Sequence, residues 1–306
     1  MADWNVQLFG EPSIQCHGKY WTKPDSSITQ EIFLFLLSHR RTIHSRESLA
    51  SLLWTECSTE QSKKNLRQTL WRLRSCDALP VEMKQNLLIS IDKEHLQLNP
   101  AINLNIDTEE FERIYRELRA RQNLDETLAE RLREAARLYR GRFLEGYWHD
   151  WCLFERERFQ NMYLVMMDKL IEWSLAQRNF EEGLDYGERI LQLDPAAERA
   201  HQQMMRLYHL SGNRTAALRQ FERCVRHLKE ELDITPSAKT LTILEHIRTD
   251  RVDAAVVSES PANNQTPSLA QLSGRLRQFQ TRLVELQKQI QKEIELVEHF
   301  LPNRTE

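Results

Sequence analysis

The chain has 306 residues and a formal net charge of −3, with 41% apolar and 28% charged residues. That is the balance of a globular protein with a core, not of a disordered chain, and at ~150 residues per domain it suggests about two domains. Five scattered cysteines without metal or CxxC spacing, no basic-then-apolar start in MADWNVQLFG and no apolar run near ~20 residues argue against a disulfide scaffold, a zinc module, a signal peptide and a membrane span. Gly is scarce while Leu, Glu, Arg and Gln are plentiful, which favours helix.

Residues 4–20 read as a hairpin, because Trp4, Val6 and Leu8 alternate, as do Ile14 and Cys16, around the turn GEPS. ITQEIFLFLLSH (28–39) reads as a short buried helix, and SRESLASLLW (45–54) as a second, N-capped by Ser45. STEQ at 58–61 is a Ser-x-x-Gln capping box that opens a third helix running to about Ser75. LLISIDKEHLQL (87–98) reads as two strands around a tight turn at Asp92–Glu94. Strands, three helices and a hairpin in that order make a winged helix-turn-helix over residues 1–105.

IDTEEFERIY begins a helical regime, with Asp107 and Glu110 as a further capping box. A shift of 34 residues superposes LAQRNFEEGLDYGERIL (175–191) on HLSGNRTAALRQFERCV (209–225). Asn179 then meets Asn213, Leu184 meets Leu218, Glu188 meets Glu222, and small Gly183 meets small Ala217. That period is the tetratricopeptide one, so residues 106–249 are expected to form a short α-solenoid.

Residues 250–267 lack periodicity and read as a linker. Beyond them Leu269, Leu272, Leu276, Phe279, Leu283, Leu286, Ile290 and Val297 recur at steps of three and four, so residues 268–301 are expected to form a coiled-coil helix. Its pairing is either between two chains, giving a homodimer, or back onto its own chain. The expected fold is mainly α: an N-terminal winged helix-turn-helix with small β-sheets, a tetratricopeptide-like α-solenoid and a C-terminal coiled coil.

The third helix carries the strongest functional signal. KKNLRQTLWRLRS (63–75) holds Lys63, Lys64, Arg67, Arg72 and Arg74 and no acid. At 100° per residue Leu66, Leu70 and Leu73 share the core face. Lys64, Gln68, Trp71 and Ser75 point away from it, flanked by Arg67 and Arg74 on one side and Arg72 on the other. A merely solvated face usually mixes signs, since Glu–Lys pairs add a few tenths of a kcal/mol. A face of one sign fits a polyanion: Arg or Lys suit guanine edges, Gln suits adenine, and further cations touch phosphates. Ser45 and Arg46, at the head of the second helix, are grouped with this DNA-facing set. Lys93 and His95 at the wing tip are expected to reach a minor groove or a phosphate. Trp71 either packs on DNA or is half-buried against the wing.

The segments LWTECSTEQSKKNLRQTLWRLRS, YRGRFLEGYWHDWCLFERERF and AERAHQQMMRLYHLSGNRTAALRQFERCVRHLKEELDITPSAKT resemble the bacterial transcriptional activator domain family, the architecture of SARP-type regulators, over about residues 4–248. The resemblance implies sequence-specific binding of double-stranded promoter DNA, often at direct repeats, and recruitment of RNA polymerase through its sigma or alpha subunit. The family's recognition helix maps onto residues 58–75, and its polymerase-facing loop onto Trp54, Thr55, Glu56 and Cys57. The wing lacks the family's usual glycine, and the coiled coil is not part of the usual short form.

No phosphate-binding loop, dinucleotide fingerprint or nucleophile elbow is present in the sequence, so no enzymatic activity, cofactor or metal is expected. The aromatic cluster Tyr147, Trp148, Trp151 and Phe154 is expected to join the capping helices to the solenoid. Two functions fit: a transcriptional activator in the cytoplasm, associated with the nucleoid, or a non-enzymatic interaction scaffold whose solenoid groove and winged helix both dock proteins. The near-neutrality of residues 1–105, with 12 basic and 11 acidic residues, favours the scaffold.

Overall fold

The computed structural model describes residues 4–16, 19–20, 27–75, 86–121 and 123–249. The expected linker and the coiled-coil positions Leu269 to Val297 lie outside the described residues.

Strands β1 (Trp4–Gln7) and β2 (Ser13–Cys16) form the expected antiparallel hairpin, with Val6 opposite Ile14. Gly10 sits in its turn at φ 83°, a conformation that favours glycine. Strand β3 (Lys19–Tyr20) extends one edge of the sheet. Helices α1 (Ser27–Ser38), α2 (Arg46–Leu53) and α3 (Thr59–Ser75) follow, with the two-residue strand β4 (His44–Ser45) between the first two. Strands β5 (Leu88–Ser90) and β6 (His95–Leu98) then pair, and β4 joins them in a three-stranded sheet of order β4-β6-β5.

Short strands β3 and β4 were not expected, and neither was a third. β7 (Leu104–Ile106) runs parallel to β1, with Val6 opposite Ile106, and completes the first sheet in the order β3-β2-β1-β7. The expected capping box at Asp107 is also replaced. Asp107 opens α4 (Asp107–Ala120) without capping it through Glu110. Its carboxylate instead accepts the N–H groups of Leu8 and Phe9, at 2.9 to 3.0 Å, and that of Thr108 at 2.8 Å. The expected boundary at residues 105/106 therefore falls inside β7, within one compact unit, residues 1–252.

The rest is helical: α5 (Glu126–Leu138), α6 (Asp150–Ala176), α7 (Phe180–Leu193), α8 (Glu198–Leu210), α9 (Arg214–Leu232) and α10 (Ala238–Arg248). α6 packs along α7 and α8 along α9, with α8 beside α6. The repeat read from sequence recurs in the backbone. The turns after α6 and α8 each hold a left-handed residue, Arg178 at φ 57° and Gly212 at φ 81°. In each the following Asn N–H returns to the helix, Asn179 to the Ser174 carbonyl at 2.9 Å and Asn213 to that of Tyr208 at 2.8 Å. The small residues are needed where helices approach. A Cβ on Gly183 would lie 3.0 Å from Leu207 and 3.1 Å from Ser174, and Ala217 is fully buried.

A single apolar core runs from Trp4 to Leu207, through both the sheet and the helical array. Phe9 enters the array, with ring centres 5.0 Å from Phe111, 5.0 Å from Tyr139 and 5.2 Å from Phe159. The expected aromatic cluster divides. Trp151 is buried edge-on to Phe35 at 5.0 Å, and the Tyr147 hydroxyl donates to Gln30 Oε1 at 3.0 Å, so both tie α6 and the segment before it to α1. Trp148, in the segment before α6, and Phe154 on α6 are exposed.

Burial pushes the Asp107 carboxyl up to about 6, against the N–H groups of Phe9, Leu8 and Thr108 and the charge of Arg140, which pull it down. The folded chain therefore holds a proton that the unfolded chain releases near its ordinary value of 3.8. Wild-type stability should fall relative to Asp107→Asn as pH rises from about 4 to about 6, read by urea denaturation across that window. Asp107→Ala, which strands the backbone N–H groups of Leu8, Phe9 and Thr108, should cost about 2–4 kcal/mol by the same measurement.

Candidate nucleic-acid interface

α2, a tight turn and α3 present the cationic helix. Ser45 Oγ accepts the Ser48 N–H at 3.5 Å and caps α2 as expected. At α3 only half of the expected capping box forms. Ser58 Oγ accepts the Gln61 N–H at 3.4 Å, but the Gln61 amide turns forward to Asn65 Oδ1 at 2.9 Å. α3 buries Leu66, Leu70 and Leu73, with Ser62 and Thr69, against α1 and α2. This is the face the wheel assigned to the core.

The outward face divides by chemistry. Lys64, Arg67, Gln68, Trp71 and Arg72 are all exposed. Among the described residues no ion pair engages Lys64, Arg67 or Arg72. Trp71 is 67% exposed, which excludes half-burial against the wing. The ends of the ridge are engaged within the protein. Lys63 Nζ lies 3.4 Å from Glu47 on α2, and Arg74 donates to the Leu88 carbonyl of β5 at 3.4 Å.

The wing is tied to the head of α2. The Arg46 N–H donates to the Glu94 carbonyl at 2.8 Å, and its guanidinium to Ser90 Oγ at 3.2 Å. At the tip Asp92 accepts the N–H groups of Glu94 and His95, at 2.7 and 2.8 Å, and faces the His95 ring at 2.9 Å. The bond from the His95 side chain, with those backbone N–H groups, holds the Asp92 carboxyl below its usual range. His95 is thus drawn to the wing's own carboxylate, while Lys93 is exposed. In the loop after α2, Trp54 is half-buried against the core and Thr55, Glu56 and Cys57 are exposed.

Sequence reasoning missed the side chains that orient this face on the helical array. Arg40 pairs with Glu109 at 2.6 Å, joining the end of α1 to the start of α4. Glu31 on α1, buried and raised in pKa by desolvation, meets His149 before α6 at 2.8 Å. Arg156 donates to the carbonyls of Phe143, Leu144 and Tyr147, the first at 2.6 Å. These pairs link residues far apart in the chain, so no local pattern announces them.

Residues 106–248 match the family model described as the bacterial transcriptional activator domain. A solved structure of Mycobacterium tuberculosis EmbR in complex with a low affinity phosphopeptide is similar, with a TM-score of 0.66 at 15% identity over 85% of this chain and 70% of that one. At that identity the likeness is one of fold. No curated protein matches the chain. Among the described residues no helix is long and apolar enough to cross a membrane.

Replacing Arg67 and Arg72 together by Ala should change folding stability by less than about 1 kcal/mol, because both side chains stand in solvent. Leu70→Ala on the opposite face should cost about 2–5 kcal/mol, and thermal denaturation of the two variants separates the faces.

Proposed function

Since the chain belongs, by its residues 106–248, to the bacterial transcriptional activator domain family, we propose that it is a sequence-specific DNA-binding transcriptional activator. It holds promoter DNA through α3 and recruits RNA polymerase. The observation that carries this reading is the exposed strip Lys64, Arg67, Gln68, Trp71 and Arg72, whose three cations have no carboxylate partner among the described residues. A helix of this width enters a major groove, where Arg and Gln edges read bases and the remaining cations touch phosphate. Trp71 supplies a flat apolar surface for sugar or thymine methyl.

Lys63 and Arg74 are assigned a smaller share. Each must leave an internal partner to reach DNA, and the Lys63–Glu47 pair is exposed enough to exchange readily. The wing contributes through Lys93, with His95 held back by Asp92. The loop of Trp54, Thr55, Glu56 and Cys57 is read as the polymerase-facing segment, with its three exposed residues at the contact and Trp54 anchoring it. Regulators of this kind are non-enzymatic, and the chain is read in the same way. The coiled-coil residues 268–301 are read as the element that pairs two chains, so that two α3 helices span adjacent half-sites.

The scaffold reading rests on the near-neutral balance of residues 1–105. It loses weight because that balance is not spread evenly: among the described residues no carboxylate pairs with Lys64, Arg67 or Arg72. The test is the salt dependence of binding to genomic fragments enriched by the protein. Affinity should fall with a log–log slope of several units, and the Arg67→Ala/Arg72→Ala variant should bind more weakly with a slope smaller by about 2. Binding that ignores salt, or wild-type affinity in that variant, would remove α3 from the interface and leave the scaffold reading.

A further inference from the structure

Three polar atoms along α8 are buried and lack a hydrogen-bond partner: Gln203 Oε1, Arg206 Nε and His209 Nε2. Residues three apart are neighbours on a helix, so the three form one stripe. Gln203 is only 6% exposed. Among the described residues neither it nor Arg206 takes part in any hydrogen bond or ion pair. A buried polar group without a partner costs about 1–3 kcal/mol, and native proteins keep few of them.

The rest of α8 is well satisfied. Gln202 donates to Thr240 at 2.8 Å, and the two ring nitrogens of His201 meet the Pro195 carbonyl at 2.9 Å and Gln220 at 2.8 Å. Arg199 donates to Asp168 and Glu172 of α6, at 2.6 Å each. Within α8 the unpartnered atoms are therefore confined to the stripe; the others among the described residues, such as Ser174 Oγ on α6 and Thr29 Oγ1 on α1, are scattered over other elements. Charge points the same way. Where α6 and α8 lie side by side, Asp168 and Glu172 are taken by Arg199 and Lys169. Among the described residues no ion pair engages Arg206.

We propose that this stripe is a binding site for a carboxylate with an N–H donor beside it, the chemistry shared by a free α-amino acid and the last residue of a peptide. The Arg206 guanidinium holds the carboxylate and supplies the charge it requires. Gln203 Oε1 accepts the ligand's N–H, and His209 Nε2 takes the second carboxylate oxygen as a donor. The site lies on the helical array, and the proposal stands whether or not α3 binds DNA.

The full chain is titrated calorimetrically at millimolar ligand with four sets of probes: the free α-amino acids, their N-acetyl derivatives, the matching amines without a carboxylate, and tripeptides with free or amidated carboxy termini. Carboxylate-bearing probes should bind, and the amines and amidated peptides should not. Binding confined to free amino acids identifies a small-molecule site. Binding of N-acetyl derivatives and free tripeptides identifies a peptide terminus. Arg206→Gln, in a partly exposed side chain, should weaken binding by about 10–100-fold with the melting temperature of the unliganded chain preserved. Gln203→Met, which fills the same space without the acceptor, should also weaken binding while holding or raising that melting temperature. No heat from any carboxylate probe, or equal affinity in both variants, would overturn the proposal and leave the stripe to ordered water.

Discussion

Beyond the last paired residue of β1 the backbone N–H groups of Leu8 and Phe9 turn toward α4, and one carboxylate takes both. Asp107 is 99 residues from Leu8, and much of the architecture depends on that junction. It fixes the end of β1 beside β7, starts α4 in a set direction and delivers the Phe9 ring into the aromatic group of Phe111, Tyr139 and Phe159. A buried carboxylate is costly, and desolvation raises its pKa here. Three backbone donors offset that cost, and two of them, from Leu8 and Phe9, are available only when the end of β1 lies against the start of α4. The junction thus couples the winged helix to the helical array.

The same coupling gives α3 a fixed platform. Arg40 with Glu109, Glu31 with His149 and Tyr147 with Gln30 all cross between the first three helices and the later ones. The core beneath them is continuous. The DNA contact proposed for α3 would gain from such a base, because ordering only the side chains costs less entropy than ordering helix and side chains together. Elsewhere the chain compensates its arginines densely. Arg133 alone meets Glu126, Glu130 and Glu182, and Arg131 meets Glu110, Glu117 and Glu134. Against that background the middle of α3 and Arg206 on α8, without an ion pair among the described residues, are local departures.

Much of this was legible in the residues. The leucines of α3 recur at helical spacing, so its buried and exposed faces followed from the wheel. The hairpins followed from strict alternation, and the 34-residue repeat reappears as matched turns at Arg178 and Gly212. Each of these features depends on neighbours a few positions apart. Other readings stopped short where a side chain had two competing partners. Gln61 chose Asn65 over the helix end, and Asp107 chose β1 over its own first turn. Trp148 and Trp151 are the same residue type three positions apart, yet Trp148 is exposed while Trp151 is buried against Phe35.

Local periodicity and one-signed charge thus specified the helices, their order and the ridge that faces outward, since helical and strand repeats are properties of adjacent residues. The packed fold settled everything that pairs residues a hundred apart. β7 is three residues long and becomes a strand only because β1 lies alongside. Which cations find partners was likewise settled in space: Lys63 and Arg74 met partners on α2 and β5, while Arg67 and Arg72 met none among the described residues. A charge can be counted along the chain, but its neutralisation depends on distance, and distances between remote segments exist only after the core has closed.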